Sequence, residues 1–140
     1  MTTESVHRNV TVRRIANGQF TVTNARGGQI TFGGGETEFT PTELLLAAIG
    51  GCTAIDVDIV TSRRAEPDAF EVLVDAEKVR DEAGNHLTGI EVTFRIRFPG
   101  TAQGDEARAV LPDIVQKSHD RLCTVGRTVE IATPIATRIE

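Results

Sequence analysis

The sequence has no tryptophan and no tyrosine, a single methionine, and two cysteines in 140 residues. Phenylalanine supplies all six aromatic rings. That leaves few platforms on which bases of a single-stranded nucleic acid could stack, and few aromatic anchors for a protein partner. Positive charge is in deficit too: 15 Lys and Arg against 20 Asp and Glu give a net charge of −5, so phosphates would be repelled. Two cysteines permit one disulfide at most, which excludes a disulfide-built scaffold and, in a reducing cytosol, leaves two thiols. The longest uncharged stretch between Glu43 and Asp56 is 12 residues, too short to span a bilayer. Met1 to Asn9 holds no apolar core of signal-peptide length. These absences point to a cytoplasmic domain that binds neither nucleic acid nor membrane.

What is present fits one globular domain over residues 1–140, with 39% hydrophobic and 25% charged residues and no internal repeat. The N-terminal third reads as strands. Val10-Thr11-Val12, Phe20-Thr21-Val22-Thr23 and Gln29-Ile30-Thr31-Phe32 alternate apolar with polar residues. Asn17-Gly18 and Arg26-Gly27-Gly28 provide the turns, and Gly33-Gly34-Gly35 ends the regular structure in a loop.

Thr40-Pro41-Thr42-Glu43 then starts a helix, with Thr40 as N-cap, Pro41 at the first helical position and Glu43 three residues beyond the cap. From Leu44 to Val60 that helix is apolar nearly all round, which predicts burial on most sides at the centre of the fold. Gly50 and Gly51 each cost about 1 kcal/mol relative to alanine in a helix interior. They predict close approach by another backbone, from a crossing helix or a partner subunit. Past Pro67, Phe70 to Ala76 reads as a strand. Ile90, Val92, Phe94, Ile96 and Phe98 alternate strictly with polar residues as another, and Asp81 to His86 forms the turn between the two. Asp105 to Leu122 returns to helical spacing, with Val110, Ile114, Val115, Ser118 and Leu122 as its inner face and Pro112 as a kink or late start. Val129-Glu130-Ile131 and Ile135-Ala136-Thr137 read as closing strands. Grouped strands, a helix, more strands and another helix make an α+β pattern.

Cys52 lies mid-helix beside the two glycines, and Cys123 falls where the second helix ends. Each could be a small buried hydrophobe, as free cysteines often are. No Cys-x-x-Cys accompanies them and His7, His86 and His119 keep no ligand spacing, so neither a metal nor any cofactor is expected. A Cys52–His119 hydrolase pair can be drawn, though without an oxyanion-hole motif.

The string Pro41-Thr42-Glu43-Leu44-Leu45-Leu46-Ala47-Ala48-Ile49-Gly50-Gly51-Cys52-Thr53-Ala54-Ile55-Asp56 resembles the signature of the OsmC/Ohr superfamily of osmotically inducible and organic hydroperoxide resistance proteins, whose helix carries a cysteine eleven residues after the proline. Leu122-Cys123-Thr124-Val125-Gly126-Arg127 resembles the family's second-cysteine segment. The resemblance implies an α+β fold with antiparallel sheets packed around central buried helices in an intertwined homodimer. It implies a thiol peroxidase of oxidative-stress defence in which Cys52 attacks an organic hydroperoxide and Cys123 resolves the sulfenic acid to a disulfide. An external thiol such as a dihydrolipoyl group then restores both. The glutamate that follows the proline in the peroxidases is Thr42 here, and Glu43 is rotated about 100° from it on the helix. The family's N-terminal arginine would fall near Asn17-Gly18, leaving Arg26 or Arg14 to stabilise the thiolate and Glu43 to orient a partner. The alternative reading keeps the same dimer as a non-enzymatic module that binds a small apolar molecule, with its cysteines structural.

Overall fold

The computed structural model describes residues 3–140. The chain forms two compact units, one ending at Leu45 and one running from Leu46 to Glu140. The first is a three-stranded antiparallel meander of β1 (Val10–Ala16), β2 (Gln19–Asn24) and β3 (Gln29–Gly33). The alternating pattern sets the register: Val12 lies opposite Val22, Val22 opposite Ile30, and Phe20 opposite Phe32. The two phenylalanine rings stack with centroids 6.1 Å apart. In the Asn17-Gly18 turn only Gly18 takes a positive φ, +71°, and the register shifts between Arg14 and Ala16. A bulge therefore does the work that two positive-φ residues would do in a primed turn.

Helix α1 (Pro41–Ser62) begins as a capping box. The Thr40 N–H donates to Glu43 Oε1 (2.9 Å) and the Glu43 N–H donates to Thr40 Oγ1 (3.2 Å). In the second unit, α1 is followed by a long hairpin of β4 (Ala69–Asp81) and β5 (Gly84–Arg97). Then come α2 (Ala102–Lys117), a π-helical turn (Ser118–Leu122) and α3 (Thr124–Glu130). The elements are mixed α+β with antiparallel sheets, as the grouping of patterns predicts. Phe70, Val72 and Val74 of β4 pair with Ile96, Phe94 and Val92 of β5, while Glu71 meets Arg95 on the other face in an exposed ion pair at 3.2 Å. The imperfect alternation of β4 has a physical cause, a register shift between Asp75 and Glu77. The connecting turn is tighter than the polar run suggests. Asp81 pairs with Gly84 and its carboxylate accepts from the Ala83 and Gly84 N–H groups, so Asn85 and His86 belong to β5.

Several expectations need correction. Helix α1 is buried along one face only, through Ile49, Gly50, Thr53, Val57 and Thr61, while Ile55 and Ile59 are 63% and 50% exposed. Its 22 residues and mean hydropathy of 1.8 would suit a membrane span, unlike the short uncharged run. Yet the half-buried Asp56 within it is hydrogen-bonded to the buried Ser118 side chain, as in a core helix. The close neighbour of Gly50 is a side chain of β4: a Cβ built there would lie 2.6 Å from Val74 Cγ2, while one on Gly51 would meet nothing within 4 Å. Helix α2 starts at Ala102 with Pro112 in its interior, and Leu122, placed on the inner face by spacing, is 51% exposed. The π turn explains the change, because its wider winding rotates residues after Ser118 out of the α-helical phase. Finally, Val129-Glu130-Ile131 is not a strand; Val129 and Glu130 close α3, and 135–137 forms no strand. β-branched residues pair as strands only where an edge is offered, and α3 is instead capped by Cys123.

Candidate active site

Cys52 sits about three turns into α1 and is half-buried. One residue on is Thr53 and one turn on is Asp56, both inclined toward the same neighbour. That neighbour is Ser118, the fully buried residue at which α2 passes into the π turn. Thr53 Oγ1 lies 2.7 Å from Ser118 Oγ, and the Ser118 hydroxyl donates to Asp56 Oδ2 at 2.8 Å. At the far end of the turn the Cys123 N–H donates back to the Ser118 carbonyl at 2.8 Å. Spacing puts Ser118 on an otherwise apolar helix face and Asp56 in an otherwise apolar helix. Polar groups buried or half-buried in this way require partners, and here they find each other.

The π turn carries Cys123 inward, where it is 4% exposed and caps α3. Its sulfur accepts from the Gly126 N–H at 3.3 Å, and a Cβ on residue 126 would press on that sulfur at the same distance. Both cysteines are free thiols, and Cys52 lies near enough to Cys123 to bear on the titration of its thiol. Burial pushes the Cys123 thiol above its ordinary range; the Gly126 N–H pulls the other way, and Cys52 and Asp56 add to the rise. Cys123 is therefore held as a protonated thiol beside Cys52. A pair so placed can close to a disulfide once a two-electron oxidant has acted on one sulfur.

A cleft of about 670 Å³ opens over Cys123, walled by Ile49, Val92, Phe94, Val115 and Val129. His119 and Glu130 stand among its lining residues. His119 does not serve as a base for Cys52. Its Nδ1 is 2.9 Å from Asp120 Oδ1 and its Nε2 is 3.0 Å from Glu130 Oε1, so both ring nitrogens face carboxylates. The Asp120 hydrogen bond first, and then the Glu130 charge, raise its pKa above the ordinary 6.5.

The other sequence candidates have local roles. Glu43 is committed to the capping box at the start of α1. Arg26 occupies the turn between β2 and β3, where the Asn24 side chain accepts from the Arg26 and Gly28 N–H groups at 2.9 Å each. Among the described residues its guanidinium forms no ion pair. Arg14 is an exposed residue of β1 opposite Phe20.

A family model described as OsmC-like protein matches residues 33–138. Protein YhfA of Escherichia coli K12 is 33% identical over 115 residues, covering 80% of this chain and 81% of its own. The crystal structure of a hypothetical protein from Aquifex aeolicus superposes with a TM-score of 0.71 at 23% identity, over 92% of this chain and 91% of that one. The organic hydroperoxide resistance protein OhrB of Bacillus subtilis superposes with a TM-score of 0.53 at 19% identity, over 88% and 90%. At these identities the two structures share the fold with this chain.

Proposed function

The chain belongs to the OsmC-like family, and from that premise we propose that it reduces organic hydroperoxides through Cys52 and Cys123. The observation that carries the reading is the nearness of the chain's two cysteines, both reduced, one half-exposed and one buried, with Cys52 acting on the titration of Cys123. Cys52 as thiolate attacks the terminal oxygen of R–O–OH, the O–O bond breaks, and the alkoxide takes a proton to leave as alcohol. Cys52 is then a sulfenic acid. The Cys123 thiol attacks that sulfur; its proton and the departing hydroxide make water, and a disulfide remains. An external dithiol, such as a dihydrolipoyl group, takes the bridge back to two thiols. The name of the Bacillus protein agrees with this chemistry. Exposed apolar residues of α1 near Cys52, such as Ile55, would favour an alkyl hydroperoxide over hydrogen peroxide, since each buried CH₂ contributes about 0.8 kcal/mol.

The working form in this proposal is a cytoplasmic homodimer. Ala48, Ile55 and Ile59 recur at spacings of seven and four along α1, and Ile55 and Ile59 are exposed in the single chain. A second copy covering that stripe would give the helix the enclosure its composition asks for. The second reading, a non-enzymatic binder of a small apolar molecule, is favoured by the cleft over Cys123. Turnover separates the two: with a dithiol reductant present, the enzyme consumes cumene hydroperoxide catalytically and Cys52→Ser does not. Absence of consumption by the parent protein, together with binding of an apolar probe, would favour the second reading.

A further inference from the structure

Asp56 takes part in none of the bond changes just described, although its charge adds to the rise of the Cys123 thiol, and it is a carboxylate inside an apolar helix, one turn after Cys52. Its Oδ2 accepts the Ser118 hydroxyl, Thr53 meets the same hydroxyl, and the Ser118 carbonyl accepts the Cys123 N–H. Two hydrogen bonds thus link Asp56 to the backbone of Cys123 through one fully buried residue, and the link crosses from α1 to the π turn. The π turn is a costly winding, and it persists where surrounding contacts over-determine it. Here it is held at both ends: the Ser118 N–H is bonded to the Ile114 and Val115 carbonyls, and the Cys123 sulfur takes the Gly126 N–H.

We propose that Asp56, acting through Ser118, is a positioning residue for disulfide closure: it clamps the π turn to α1 so that the Cys123 sulfur is kept near Cys52. The chemical step inherits the peroxidase reading, but the clamp itself concerns only how readily the two sulfurs meet. Its loss lets the turn relax toward regular helix, which rotates Cys123 away. Closure then slows while the first attack on peroxide depends on other groups. A misplacement on the order of 1 Å costs about a hundredfold in a well-oriented reaction, so a slowing of at least about tenfold is expected.

The test follows closure by two routes in the reduced full-length protein. In the first, a small excess of cumene hydroperoxide is added, and sulfenic acid and disulfide are followed separately by dimedone trapping and intact mass. In the second, diamide replaces peroxide; it takes up two electrons and two protons as the thiols join and becomes the corresponding hydrazine. Ser118→Ala, which keeps the side-chain volume, and Asp56→Ala should each slow closure with diamide at least about tenfold. With peroxide they should raise the dimedone-trapped fraction relative to disulfide. Asp56→Asn keeps an oxygen that can accept the Ser118 hydroxyl and should restore most of the rate. Closure at the parent's rate in both alanine variants overturns the inference. A parent protein that closes normally with diamide but never with peroxide overturns the peroxidase reading instead, and the variant order under diamide still decides the clamp.

Discussion

Ser118 Oγ lies 2.8 Å from Asp56 Oδ2, and this one hydrogen bond ties the turn that carries Cys123 to the helix that carries Cys52. Because Ser118 is fully buried, its removal leaves the buried Thr53 hydroxyl and the half-buried Asp56 carboxylate short of a partner. Ser118→Ala is expected to cost about 1–3 kcal/mol, read as a lower urea midpoint at unchanged slope. Thr53→Val, which leaves the bond to Asp56 in place, should cost less. An equal or larger loss in Thr53→Val would show that the Asp56 bond is not the stronger tie.

The two thiols should differ sharply in reactivity. Cys123 is buried and its pKa is raised chiefly by that burial, whereas Cys52 is half-exposed. Limited iodoacetamide on the reduced protein should therefore alkylate Cys52 first, by roughly tenfold or more in rate. Peptide mapping checks the order, and preferential labelling of Cys123 would contradict the assigned geometry.

How much of this was legible beforehand follows from which forces are local. The capping box at Thr40 and Glu43 and the apolar alternation of β5 are written in neighbouring residues, and both appear as read. The cysteine segments are equally legible, as strings. The π turn is not, since its wider winding is chosen by contacts of Ser118 and Cys123 with residues distant in sequence. Helix α3 was hidden for a related reason: Val129 and Ile131 have strand propensity, but the Cys123 sulfur and the Thr128 hydroxyl, bonded to the Thr124 carbonyl, favour a helical turn. The even hydrophobicity of α1 says that it is enclosed without saying by what, and a single chain encloses one face.

That unenclosed face gives a prediction about assembly. Ile59→Glu places a charge on the exposed apolar stripe without touching the buried residues Val57 and Thr61. The parent should sediment at twice its 15.1 kDa and the variant at its own mass. A parent that is monomeric at about 50 µM would remove the dimer from the account.

His119 supplies the pH dependence. Its pKa is raised in the fold, so its contribution is complete below its unfolded value, near 6.5, and is lost as pH rises through the higher folded value. Asp120 is shifted down, first by the Gln116 hydrogen bond and then by His119, so its contribution holds above 3.8 and fails as pH falls through the lower folded value. The clasp between the π turn and α3 should thus be strongest between about pH 4 and 6.5. The stability difference between parent and His119→Gln should be larger at about pH 5.5 than at about pH 8.5. Equal differences at both would contradict it.

The central claim is that Cys52 and Cys123 form one redox pair, and intact mass after peroxide tests it most directly. Reduced protein given a slight excess of cumene hydroperoxide should lose the mass of two hydrogens and yield a Cys52–Cys123 crosslinked peptide. Cys52→Ser should show no change, and Cys123→Ser should gain one oxygen. An unchanged mass in the parent protein, with both thiols still open to alkylation under denaturing conditions, would contradict the account.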